Sequence, residues 1–111
     1  MSAFEPTAFA SRLPLPATAK WPEGVFDIEA FADGALVLRY FAPRGLDRQT
    51  AHDRDEVYVI VAGHAVFERD GHAPVPVGPD SALVVPRGIE HRFRAMSADF
   101  GAWVVFGPAE A

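Results

Sequence analysis

The sequence predicts an all-β fold, a small closed barrel or sandwich, and three observations carry that prediction. Beyond the first twenty residues no stretch repeats apolar residues at the helical period. Ten Pro and nine Gly in 111 residues cut the chain into short pieces. Between the cuts lie segments that either alternate apolar and polar residues or run apolar, as strands do. Such segments, with turns every several residues, favour closure because a closed sheet has no exposed edges.

Taken in order, residues 1–24 hold Pro6, Pro14, Pro16 and Pro22. Proline fixes φ and lacks a donor, so this part is expected to be an irregular arm lying on the barrel, with at most one helical turn near residues 7–12. The barrel domain is assigned to 25–111. Its strands are expected at 25–32, 35–42, 56–62, 65–69, 75–77, 82–85, 91–94 and 102–106. Asp33-Gly34 and Asp70-Gly71 read as hairpin dipeptides, because Gly tolerates positive φ. Gly78-Pro79-Asp80 and Pro86-Arg87-Gly88 break the chain again.

Composition narrows the function. Half the residues are apolar and 23% are charged, which suits one domain with a real core rather than a disordered chain. The net charge is −5, and one Lys with nine Arg scattered along the chain forms no basic stripe, so nucleic acid is not an expected partner. The longest apolar run, 57–62, is far short of the ~20 residues that cross a bilayer, and no membrane is expected. The chain has no Cys, which excludes disulfides and thiolate ligands, so any metal must use N and O donors. Nothing in MSAFEPTAFASRLPLP marks a secretory signal, and a cytoplasmic location is expected. No Ser-His-Asp order and no Gly-rich phosphate loop can be defended.

Two of the four histidines stand in suggestive company. His52 and Glu56 are four apart, an even spacing that puts both on one sheet face if the strand through 56–62 starts early enough. With His91 from a distant strand they would give two imidazoles and a carboxylate on one side of an ion, leaving open positions for substrate, water or O2. His64 and His72 follow turn glycines and are expected to face solvent. Asp53, Arg54 and Asp55 read as a charged loop.

His52, three residues, Glu56, six residues, Gly63 match the second half of the first motif of the cupin superfamily, and Pro86-Arg87-Gly88-Ile89-Glu90-His91 matches its second motif. Over residues 35–108 the chain therefore resembles a small single-domain cupin, which implies a jelly-roll β-barrel and metal ligation by His52, Glu56 and His91. Where the family has its first His, this chain has Thr50, a poor ligand for a divalent cation. The resemblance implies a divalent metal, Fe, Mn, Ni or Zn, with dioxygenase-like or isomerase-like chemistry on a small organic molecule. The enzyme would then be an oxidoreductase or an isomerase. The alternative is a metal-free module that binds a sugar or an aromatic acid without catalysis. Small barrels of this kind commonly pair, so a homodimer is expected.

By strand alternation Tyr58 shares a face with Glu56, and Phe93 shares one with His91. Both are candidates for the pocket wall, with plain core as the other reading, and Tyr58 brings a hydroxyl for substrate orientation or proton transfer. Trp103 and Phe106 are expected on opposite faces of the last strand.

Overall fold

Alternation along a few strands decides what faces the interior. The structure is a computed structural model and describes residues 3–108. A helix of five residues, α1 (Pro6–Ala10), precedes eight strands: β1 (Asp27–Asp33), β2 (Leu36–Phe41), β3 (Glu56–Ala62), β4 (Ala65–Arg69), β5 (Val75–Val77), β6 (Ala82–Val85), β7 (His91–Arg94) and β8 (Gly101–Phe106). No helix among the described residues is long and apolar enough to cross a membrane.

The strands form two antiparallel sheets, one of five in the order β1-β2-β8-β3-β6 and one of three in the order β5-β4-β7. This is the all-β jelly-roll architecture expected from the sequence. Odd positions of β3 and β7 turn inward: Glu56, Tyr58 and Ile60 on the first, His91 and Phe93 on the second. Opposite them Ala102 and Val104 of β8 and Ala65 and Phe67 of β4 close the core with Phe41, Val77, Val85 and Phe100. Most of this interior is apolar and aromatic, and Asp47, Glu56 and His91 are the ionisable groups buried with it.

A second, smaller cluster sits under the arm. Ile28 and Tyr40 of the larger sheet, with Ala42 just past β2, receive Phe9, Ala10, Leu13 and Leu15, and Trp103 packs with them. The rings of Phe9 and Trp103 meet edge to face with centroids 5.6 Å apart. Trp103 thus faces the arm, whereas Phe106 packs against the main core. Val25, expected to open the first strand, instead pairs with Leu15 of the arm, and β1 begins two residues later. The first hairpin turns at Gly34 and Ala35 rather than at Asp33-Gly34, because Asp33 already pairs with Leu36.

Two glycines are required by their surroundings. Gly63 links β3 to β4 at φ +68, where L side chains are strained, and a Cβ there would meet Asp99 Oδ1 and the Phe100 backbone at 2.7 Å. A Cβ on Gly101 would collide with the Tyr40 hydroxyl, so the β2–β8 pair closes only because position 101 has no side chain.

Candidate metal centre

His52 stands on the irregular segment that precedes β3, not on the strand itself. The expectation that strand periodicity aims it therefore fails. A set of loop hydrogen bonds aims it instead. Gly88 N–H donates to the His52 carbonyl at 2.8 Å and Gly107 N–H to that of Asp55 at 2.9 Å. The Asp55 side chain accepts the Arg87 N–H at 2.9 Å. The Pro86-Arg87-Gly88 turn thus ties the segment carrying His52 to the start of β7, which carries His91.

The result is convergence. One ligand atom from each of His52, Glu56 and His91 lies within 4.8 Å of the others. Glu56 Oε1 is 2.7 Å from His91 Nε2 and 3.8 Å from His52 Nε2. Glu56 is 1% exposed and His91 3%, while the His52 side chain is one third exposed and gives the cluster an open side.

The tautomer of His91 follows from its partners. Nδ1 lies 2.8 Å from the Ile89 carbonyl, which can only accept, so Nδ1 carries a proton and Nε2 faces Glu56 and Tyr58. At 2.7 Å the Glu56–His91 approach is an ion-pair distance without the alignment of a hydrogen bond, and neither Glu56 oxygen has a hydrogen-bond partner. Two acceptors so close need a proton between them or a cation beside them. Burial pulls the His91 pKa down, but the contacts with Glu56 and the Ile89 carbonyl outweigh it, and the balance is raised. A buried, unpartnered carboxylate with imidazole nitrogens on either side fits a first-row divalent ion, for which imidazole and carboxylate are suitable donors.

Tyr58 Oη lies 3.0 Å from His91 Nε2 and donates to Gln49 Oε1 at 2.9 Å. Burial, together with the Glu56 and Asp47 charges, pushes its pKa well above the ordinary tyrosine range, so the hydroxyl keeps its proton. Gln49 in turn donates its amide to Asp47 Oδ2 at 2.6 Å, and Asp47 also accepts the Phe93 backbone N–H at 2.8 Å. Burial raises the Asp47 pKa, against those hydrogen bonds.

On the His52 side of the cluster a cavity of about 190 Å³ is lined by His52, Tyr58, Gln49, Phe41 and Phe106, with Lys20 and Trp21 of the arm; Glu56 and His91 lie behind this wall and do not line it. Tyr58 is therefore on the wall, but Phe93 is not. It lies one alternation deeper than His91, completely buried, with its ring edge-on to Tyr58 at 5.1 Å and 5.0 Å from the rings of Phe67 and Phe100. Phe93 is core. His64 and His72 are exposed. Asp47, Gln49, Lys20 and Trp21 escaped sequence reasoning. They sit on segments without period, and of the four only Gln49 gave a signal, by adjoining Thr50 in the first motif.

Residues 37–106 match the family described as cupin domain. An uncharacterised protein of Streptomyces coelicolor is 38% identical over 65 residues, 59% of this chain and 61% of that protein. The dimethylsulfoniopropionate lyase DddQ of Ruegeria pomeroyi is 36% identical over 55 residues, 50% of this chain and 27% of the lyase. Its crystal structure superposes with a TM-score of 0.61 and 32% identity, covering 69% of this chain and 40% of that one. A cupin of Methanocaldococcus jannaschii with a double-stranded β-helix fold gives a TM-score of 0.66 at 14% identity, over 75% and 79% of the two chains, and shows the fold alone. Both matched stretches cover less than two thirds of the curated relatives' own length.

Proposed function

The chain belongs to the cupin domain family, and from that premise we propose that it is a metal-dependent enzyme acting on a small organic molecule by proton transfer, as an isomerase or a lyase. The observation that carries the reading is Glu56, a buried carboxylate whose oxygens have no hydrogen-bond partner and which faces two imidazoles. Leaving a carboxylate so placed costs several kcal/mol, roughly, unless a positive charge joins it.

His52, Glu56 and His91 would hold the ion. When bound, it would polarise a carbonyl or carboxylate of the substrate and stabilise negative charge developing beside it. Tyr58 keeps a proton at Oη on the cavity wall, within reach of the space above His91 Nε2, and the Gln49 carbonyl fixes the direction of that hydroxyl. Phe41, Phe106 and Val104 keep the reacting end of the substrate away from bulk water. Likeness to a lyase at above 30% identity supports proton abstraction over the oxygenation that an open facial site also permits. Tyr58 supports it as well: it keeps its proton, so it would donate to the negative charge that develops, while the carbon-bound proton leaves to solvent through the open side at His52.

The test has two parts. Untagged protein is expected to carry stoichiometric metal that His91→Ala loses. Incubated in D2O with a panel of small carboxylic acids, it is expected to exchange a carbon-bound proton of at least one, by NMR, with the exchange lost in Tyr58→Phe. Absence of metal, with melting unchanged by chelator, overturns the reading in favour of the metal-free binding module. That second reading has one observation behind it: a protonated His91 already gives Glu56 an ion-pair partner at 2.7 Å.

A further inference from the structure

We infer that Gln49 supplies a fourth metal donor through its side-chain carbonyl, in the role that Thr50 cannot fill; the inference rests on the metal-site reading above. Thr50 is exposed, so the residue in the position of the family's first His does not reach the cluster. Its neighbour does.

The argument turns on which end of the Gln49 amide faces the cavity. An amide's oxygen and nitrogen are told apart by their partners. Asp47 Oδ2 accepts the Phe93 backbone N–H at 2.8 Å, so it is an acceptor, and the Gln49 atom 2.6 Å away must be the NH2 nitrogen. Asp47 Oδ1 accepts the Gln49 backbone N–H at 3.1 Å, which holds the residue from a second side. With the nitrogen anchored, Oε1 is turned toward the site, 2.9 Å from Tyr58 Oη and 3.3 Å from His52 Nε2.

A carbonyl oxygen has two lone pairs, and Tyr58 occupies one. Neighbouring donors each about 2.1 Å from one ion are separated by roughly 3.0–3.4 Å. Without an ion this contact is a hydrogen bond in which a protonated His52 Nε2 donates to Gln49 Oε1, and at 3.3 Å it also has the separation of two donors on one ion. A neutral oxygen added to two imidazoles and a carboxylate keeps the set in the class suited to first-row divalent ions. Asp47 touches none of these donors except Gln49 and is a positioning residue.

Zn(II) and Co(II) are the probes, loaded into the full chain and titrated against a chromogenic chelator. Gln49→Leu is expected to weaken Zn(II) binding about tenfold or more, and to alter the visible absorption of the Co(II) form as a donor is lost. Tyr58→Phe is expected to stay within about threefold. Should Gln49→Leu not fold, Gln49→Asn, which withdraws the carbonyl by one methylene, is expected to show the same loss. Binding by the Leu or Asn variant within threefold of the parent, with an unchanged Co(II) spectrum, overturns the inference. So does an equal loss in Tyr58→Phe alone, which assigns the donor to the phenol. His91→Ala separates the two levels: if it binds as tightly as the parent, the metal site itself is wrong, and Gln49 falls with it.

Discussion

At the scale of single residues, function and stability pull against each other at Glu56. Its carboxylate is buried without a hydrogen bond, so an isosteric amide relieves the metal-free protein of a desolvated charge. Glu56→Gln is expected to melt no lower than the parent in chelator, and to gain nothing when metal is added. Calorimetry in the two conditions checks both halves; a large loss of stability in chelator would mean that the ion pair with His91 contributes more than burial costs. Tyr58→Phe removes one hydroxyl but none of the packing against Phe93 and Phe67. It is expected to leave the fold intact, with a loss of about 1 kcal/mol. Glu56, His91 and Tyr58 could be read from sequence because each lies on a strand, where alternation assigns the face. Gln49 could not, since its orientation depends on Asp47 and on an N–H of a distant strand. Phe93 stayed open between wall and core for a related reason: alternation gives the face but not the depth.

At the scale of elements, β3 to β7 fall at the boundaries expected: Gly, Pro or Asp punctuates both ends of β3 to β6, and β7 stops at Ala95, which turns to a φ of +51. The errors lie where an element owes its limits to a partner. Val25 is claimed by Leu15, and His52 is steered by the turn at Gly88. The β2–β8 pair offers a direct test. Gly101→Ala forces a methyl group onto the Tyr40 hydroxyl and is expected to cost about 1–3 kcal/mol by the usual penalty of overpacking. Gly34→Ala meets nothing within 4 Å and brings only the strain of its φ of +57, so chemical denaturation of the two variants separates clash from backbone strain. The arm is a third case. Removing residues 1–24 bares Ile28 and Trp103 and takes Lys20 and Trp21 from the cavity rim. A shortened chain is expected to lose stability at equilibrium and to bind an apolar dye that the full chain does not.

For the whole molecule, a bound ion is a ligand of the folded state alone. Metal at a hundred times its dissociation constant is expected to add about 2.7 kcal/mol. For a domain of this size that is roughly a 10 °C rise in melting temperature, which excess chelator reverses. Sedimentation at micromolar protein is expected to return twice 12.0 kDa, as a homodimer requires; a value of 12.0 kDa removes that expectation. The fold class was legible at this scale because punctuation and alternation agree along the chain after the arm.

The bonds from Gly88 to His52 and from Arg87 to Asp55 carry one more implication. They assemble the two coordinating regions before any ion arrives, so folding has already met the entropy of bringing them together. Loading is then a matter of shedding hydration water and one proton, and crystals grown in chelator should superimpose on crystals soaked with zinc, side chain for side chain.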